Sequence, residues 1–331
     1  MRKSKFIHCI DSHTAGEPTR LVIDGLPVIK GNNLKQKTKY FSNKLDNYRS
    51  ILTGEPRGHA PMHAAIYIPS NSKKSDFGLI LMSALGYLDM CGHALIGSIT
   101  SLINSKKLSF KKSKNLIKIE TGAGIITVTT NWNKKNIKSI SFVNQKSFSI
   151  KEDFIINIPE YGKFTVNFAY GGLWYIIVNS KEIGIKIEKK NLNELIIAGK
   201  KIRMKINSTI DKIKSKIQLP EKFPQTLFFD EINSKYGRNF VTSDELGFDR
   251  SPCGTGCCAR LALMYSQGKI KEKQNYIQKS IIDTSFNTRI VKVSKNGNIL
   301  PEITGSAYIT GINKIYLDPH DTIKNGFFLY A

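Results

Sequence analysis

No apolar run in this chain is long enough to span a membrane. The longest, Phe77 to Leu88, is broken by Ser83 and Gly86. The first ten residues hold only a trace of an apolar segment and no cleavage site, so a cytoplasmic protein is the expectation. Cysteine is sparse and odd in number, at five, with three inside the stretch Cys253 to Cys258. That argues against a disulfide framework. It also gives no metal site, since no histidine lies near those three thiols at zinc spacing. Arg is scarce as well, at nine residues, although the chain carries 50 Lys and Arg against 26 Asp and Glu. The excess is lysine scattered through Ile- and Asn-rich segments such as Lys181 to Lys216. Without an arginine cluster, an aromatic-basic strip or zinc-finger spacing, the charge of +24 does not indicate a nucleic-acid partner. It leaves an electrostatic pull on small anionic substrates. No low-complexity segment marks a linker.

Against these absences stands a duplication. Cys91-Gly92-His93-Ala94-Leu95-Ile96-Gly97-Ser98-Ile99 and Cys253-Gly254-Thr255-Gly256-Cys257-Cys258-Ala259-Arg260-Leu261 follow one pattern. Each reads cysteine, glycine, any residue, small, two residues, small, any residue, large aliphatic. Each places its cysteine at the expected first turn of a helix. A helix N-terminus presents unpaired N–H groups and a partial positive charge, which favour a thiolate and bind carboxylates. Small residues at 92, 94, 254 and 256 let a ligand approach the backbone. Two such thiols facing one carbon, one as thiolate and one as thiol, can remove a proton from one face and return one to the other.

Around these helices the periodicity predicts strands at 5–11, 19–23, 63–69, 77–82, 116–121, 125–131 and 137–143, with a helix over 33–48. The second half predicts strands at 163–168, 174–178, 227–230, 239–242, 281–286, 288–293 and 302–316. Helices are expected over 192–217 and 253–267. Gly97 inside the first central helix costs about 1 kcal/mol relative to Ala, which suggests close packing there. The fold class expected is α/β (α+β), with strands wrapped around one central helix in each of two lobes. The lobes are expected at 1–130, completed by 315–331, and at 131–314.

Four further blocks run in order along the chain: Asp11-Ser12-His13-Thr14-Ala15-Gly16-Glu17-Pro18, Glu55-Pro56-Arg57-Gly58-His59, Met90-Cys91-Gly92-His93 and Asp249-Arg250-Ser251-Pro252-Cys253-Gly254-Thr255-Gly256. With 303–307 and 324–327, they give the sequence a full-length resemblance to the proline racemase family of racemases, epimerases and dehydratases. The resemblance implies a diaminopimelate-epimerase-like fold, two pseudo-symmetric lobes with the site in the cleft between them, no metal and no pyridoxal phosphate or other cofactor. It implies that Cys91 and Cys253 transfer protons. Backbone amides around Gly92, His93, Gly254 and Thr255 would hold the substrate carboxylate, and His93 and Asp249 the ring amine. A homodimer is the family expectation. Cys9, Cys257 and Cys258 read as small buried hydrophobes. His59 reads as an internal hydrogen-bonding residue, and Asp89 is a candidate helix cap.

Dehydratases of this family typically carry threonine where this chain has Cys253, so two thiols favour inversion. His63 falls where the resemblance places a residue lining the ring pocket. Proline racemases tend to have an apolar aromatic there. A histidine can instead hydrogen-bond a ring hydroxyl. The expected reaction is therefore inversion at Cα of 4-hydroxyproline, with proline as the alternative substrate. Dehydration of trans-3-hydroxyproline and a non-catalytic binding protein of the same fold stand further off.

Overall fold

The structure, a computed structural model, describes residues 6–70, 74–107, 115–133, 136–150, 153–214, 219–243 and 247–329. The chain forms two compact units, 1–142 with 305–331 and 143–304. Among the described residues no helix is long and apolar enough to cross a membrane.

The first unit opens with β1 (Phe6–Thr14) and β2 (Glu17–Asp24), joined by a two-residue turn in which Ala15 and Gly16 both take positive φ. Such a turn matches the twist of the paired strands. There follow α1 (Leu34–Lys44), α2 (Asn47–Thr53), β3 (His63–Pro69), β4 (Phe77–Ser83) and the short β5 (Gly86–Leu88). Next come α3 (Gly92–Asn104), β6 (Leu116–Thr121), β7 (Gly124–Asn133) and β8 (Asn136–Val143). The second unit holds β9 (Phe148–Ser149), β10 (Phe154–Ile158), β11 (Gly162–Tyr170), β12 (Trp174–Asn179), α4 (Leu192–Lys214), β13 (Gln225–Glu231) and β14 (Tyr236–Ser243). It continues with β15 (Gly247–Phe248), α5 (Gly254–Ser266), β16 (Asn275–Lys279), β17 (Ser285–Val293) and β18 (Ile299–Gly305). The last strand, β19 (Ala307–Tyr316), belongs to the first unit and pairs antiparallel with β1 from Phe6↔Tyr316 to Thr14↔Ala307.

The two units repeat one pairing scheme. In the first, β1–β2 is antiparallel, β2–β3 parallel, β3–β4 and β4–β5 antiparallel, β4–β6 parallel, and β6–β7 and β7–β8 antiparallel. In the second, β11 to β18 follow the same sequence of pairings in the same order. β10 flanks β11 as β19 flanks β1. The duplication seen in two nonapeptides is thus a duplication of the whole sheet.

Burial explains the arrangement. Every residue of α3 from Ala94 to Leu102 is buried, as is every residue of α5 from Gly256 to Met264. A helix buried on every side must be enclosed by other elements. Strands β1, β2, β3 and β19 pack on α3, and β9, β11, β12, β14 and β17 on α5. Each sheet's other face carries the amphipathic helices. Phe41, Ile51 and Leu52 of α1 and α2 meet Ala64, Ile66, Ile80 and Met82. Leu195, Ala198, Ile202 and Ile206 of α4 meet Phe168, Ile176, Phe228 and Phe240. Each fully buried aliphatic or aromatic side chain contributes about 1.5–3 kcal/mol. Arg260, inside buried α5, is matched by an ion pair to Glu231 and by the Phe229 ring 3.7 Å away.

Several expectations are corrected. The helix expected over 33–48 ends at Lys44, and a second begins at Asn47. Between them Leu45 leaves helical geometry, and Asp46 bonds Arg49 and the Tyr87 hydroxyl (2.7 Å). The strand expected at 281–286 is largely a turn, with Asp283 at φ 67° and Ser280 N–H donating to Thr284 O. The strand there is β16, whose Tyr276 and Gln278 face inward. The run 302–316 breaks at Ser306, whose hydroxyl donates to Lys138 O at 2.7 Å. Residues 215–217 of the expected helix over 192–217 lie outside the described residues. The units divide at 142/143 and 304/305, not 130/131 and 314/315, because β8 completes a ladder with β7 and β19 runs the full length of β1.

The two central helices meet their sheets through opposite devices. A Cβ on Gly97 of α3 would come 2.8 Å from Ser12 Oγ and 3.2 Å from Thr19 Cβ. A Cβ on Gly171, after β11, would come 2.1 Å from Thr255 O and 2.4 Å from Ala259 N, both backbone atoms of α5. Backbone cannot yield as a hydroxyl can. Gly171→Ala is expected to destabilise by about 1–3 kcal/mol. Gly97→Ala loses less, because the gain in helix propensity offsets its crowding. Thermal melting of both variants checks the order; a larger loss for Gly97→Ala contradicts this packing.

Candidate active site

Four of the residues singled out from the sequence come together in the first unit. Cys91 is the N-cap of α3, in extended geometry at φ −143° and ψ 114°, and is half-buried. Its Sγ lies 3.4 Å from His93 Nδ1 and 3.6 Å from Nε2. His93 is fixed at its backbone by the Thr14 hydroxyl, which donates to His93 O at 2.8 Å. This gives a role to the block 11–18 that the sequence did not reveal. His63, at the start of β3, is 8% exposed, and its ring meets that of His93 edge-on with centroids 4.4 Å apart. His63 Nδ1 lies 3.1 Å from Pro61 O, so Nδ1 carries the hydrogen and donates, leaving Nε2 as a bare acceptor. Burial lowers the pKa of His63, against a raising hydrogen bond to Pro61. Burial, with the neighbouring His63, holds His93 well below the ordinary imidazole range. Both rings are therefore neutral near neutral pH. Gly92 is small for a local reason: a Cβ there would come 3.0 Å from the Phe142 ring.

The other four residues come together in the second unit. Cys253 is the N-cap of α5, but at φ 64° and ψ 113°, a left-handed conformation unusual for a residue with a side chain. Such geometry costs about 1–3 kcal/mol and persists only where surroundings impose it. They do so here: Ser251 Oγ accepts from Cys253 N–H at 3.1 Å, and Asp249 Oδ1 accepts from Ser251 N–H at 2.8 Å. The Tyr175 hydroxyl lies 3.3 Å from Cys253 Sγ and 2.6 Å from Thr255 Oγ1. Gly256 has no room for a side chain, since a Cβ would stand 3.2 Å from Cys253 Sγ and 3.0 Å from Leu227.

Tyr175 and Ser251 were missed from the sequence. For Tyr175 a signal existed. Alternation along β12 puts Tyr175 and Ile177 on the face toward α5, and Ile176 and Val178 on the α4 face. A buried tyrosine hydroxyl needs a polar partner, and the nearest helix start supplies it.

The expectation that a helix start lowers the thiol pKa fails at Cys253. Burial and the charge of Asp249 push this thiol well up from its ordinary value, over the opposing hydrogen bonds from Tyr175, the Gly256 N–H and Thr255. Burial also raises the Asp249 carboxyl, against hydrogen bonds from Ser251 that lower it. Cys253 is a protonated thiol at neutral pH. Cys257 (Sγ 3.3 Å from Pro252 O) and Cys258 (3.3 Å from Asn144 Nδ2) are fully buried. Burial raises Cys257 well above its ordinary range and brings Cys258 and Cys9 up to about 12. Asp89 does not cap α3; Cys91 occupies that position, and Asp89 O accepts from Ala123 N–H at 3.0 Å.

Three metal-capable residues also meet where the sequence gave no such cluster. One donor atom each from His63, Cys91 and His93 lies within 4.8 Å of the others.

Fold and site together define an enzyme of the racemase and epimerase class, built from a duplicated sheet with one cysteine at each central helix start. A family profile described as "Proline racemase" matches residues 9–328, and the chain belongs to that family. It is 38% identical to a proline racemase of Acetoanaerobium sticklandii, over 99% of each chain. It is 34% identical to a trans-3-hydroxy-L-proline dehydratase of Bacillus thuringiensis, over 99% of this chain and 100% of that one. A solved hydroxyproline epimerase from Agrobacterium vitis, with bound trans-4-hydroxy-L-proline, superposes with a TM-score of 0.81 at 26% identity, over 99% of this chain and 97% of that one.

The environment of Cys253 makes a direct prediction. Its alkylation by iodoacetamide, mapped by peptide mass, should climb with pH through the ordinary thiol value of 9.0 without levelling. Tyr175→Phe removes a hydrogen bond that favours the thiolate, so it should slow alkylation further at each pH. A plateau below that ordinary value contradicts the environment assigned to Cys253.

Proposed function

We propose that this enzyme inverts the Cα of 4-hydroxyproline by a cofactor-independent, two-thiol route. Cys91 and Cys253 are the proton-transfer residues. In one direction a Cys91 thiolate takes the Cα proton. The electron pair of the broken C–H bond passes into the carboxylate. The Cys253 thiol then delivers its proton to the opposite face. The roles exchange in the reverse direction, and each turnover leaves thiol and thiolate swapped. A protonated Cys253 suits the acid role. Asp249 takes the substrate ammonium, whose positive charge offsets the carboxylate charge that, after burial, holds the Cys253 thiol up. Binding thereby favours the Cys253 thiolate, which the reverse direction requires. The helix-start amides of Gly92, His93, Gly254 and Thr255 hold the carboxylate and the charge that builds on it.

The observation that carries the choice of substrate is His63. Its ring touches His93 beside Cys91, its Nδ1 is committed to Pro61 O, and its Nε2 is left to accept a hydrogen bond. A hydroxyl on the substrate ring supplies the donor. Proline racemization is the second reading, favoured by relatives of that name at 38% and 35% identity.

Cys91→Ser and Cys253→Ser should each lower inversion by a factor on the order of 10³ or more, since a hydroxyl is far less acidic than a thiol. Product formed in deuterated water should carry deuterium at Cα. Near-normal inversion in either variant, or product without Cα deuterium, overturns the two-thiol route.

For the substrate, His63→Phe should weaken kcat/KM for 4-hydroxyproline by about 1–3 kcal/mol and spare that for proline. If the wild type uses both equally and His63→Phe changes neither, proline racemization is the better reading.

A further inference from the structure

The histidine–cysteine–histidine cluster of the first unit has the donor set of a metal site, and the proposed reaction uses no metal. Among the described residues it is the only such group of three or more metal-capable side chains. We propose that His63, Cys91 and His93 bind a soft divalent cation of the zinc type, and that this binding switches the Cys91 thiol off.

Three observations carry the site. The first is donor chemistry: two imidazoles and a thiol are ligands zinc prefers over hard cations. The second is spacing. Zn–S of about 2.3 Å and Zn–N of about 2.0 Å place tetrahedral sulfur and nitrogen donors roughly 3.5 Å apart. Cys91 Sγ and His93 Nδ1 are already at 3.4 Å, and His63 lies within the 4.8 Å that spans all three donors. The third is orientation. A ligating histidine commonly donates its other ring N–H to a backbone carbonyl, which fixes the ring and its tautomer. His63 does this through Nδ1 to Pro61 O. The backbone of His93 is held by the Thr14 hydroxyl, which donates to its carbonyl.

Binding would break the Cys91 S–H bond, release that proton to water and form a sulfur–metal bond, with no change in oxidation state. Three protein ligands leave a fourth position for water or a substrate carboxylate. The sulfur lone pair that would take the Cα proton is then committed to the metal. Zinc acts as a reversible inhibitor. The site itself does not rest on the reaction proposed above; only its effect on turnover does.

Cobalt(II) is the probe, because a thiolate ligand gives it a near-ultraviolet charge-transfer band. Wild-type protein should bind one Co²⁺ per chain with that band, and Zn²⁺ should remove it. Cys91→Ser should lose the band, and His63→Phe should weaken Co²⁺ binding by about tenfold or more. In the wild type, Zn²⁺ should slow alkylation of Cys91 by a similar factor, and a chelator should restore it. That measurement decides the question even if a variant fails to fold. No charge-transfer band, Cys91 alkylation indifferent to Zn²⁺, or folded His63→Phe binding Co²⁺ as tightly as wild type overturns the site. Zn²⁺ binding without inhibition would leave the site standing and count against Cys91 as the proton acceptor.

Discussion

The rest of the structure depends on one constraint: a cysteine is the last residue before a helix that is buried on every side. Enclosing such a helix requires a sheet that wraps it, and each unit builds that sheet with the same run of pairings. The cysteine then stands where wrapping ends and the helix's first amides begin. At Cys253 the first-turn Gly256 N–H donates to the thiol and favours its thiolate.

A shared scaffold does not make the two thiols equivalent. Cys91 enters its helix in extended geometry beside two neutral imidazoles. Cys253 enters in a left-handed conformation beside a tyrosine hydroxyl, a threonine and a carboxylate. The first surroundings offer nitrogen lone pairs; the second hold a proton on sulfur. Inversion by the proposed route needs one thiol and one thiolate at any instant, exchanged over each turnover. In the proposed reaction a substrate ammonium at Asp249 would ease that exchange. A net charge of +24 would favour the approach of an anionic substrate such as the proposed amino acid's carboxylate.

Much of this was legible in the sequence. The paired nonapeptides and the four blocks located both cysteines, and the strand patterns of β3, β4 and β6 through β8 were read closely. What escaped had physical reasons. The breaks at Leu45 and at Asp283 carry neither glycine nor proline, so turns stabilised by Tyr87 and Thr284 read as continuing elements. Tyr175 is distant in sequence from Cys253, and only the register of β12 on α5 joins them. The acidity of Cys253 was misjudged because a helix start is visible in sequence, whereas burial depth and the approach of Asp249 are not. The metal-capable cluster was hidden for the same reason: β3 brings His63 to a helix start that follows much later in the chain.

The central claim is that both thiols serve one substrate. A planar ring carboxylate such as pyrrole-2-carboxylate resembles the flattened carbon from which the proton has left. The most direct measurement titrates it while alkylation of Cys91 and of Cys253 is followed separately by peptide mass. Protection of both cysteines at one half-protecting concentration, with one ligand bound per chain, is the result this account predicts. Protection of one cysteine while the other reacts unchanged would contradict it.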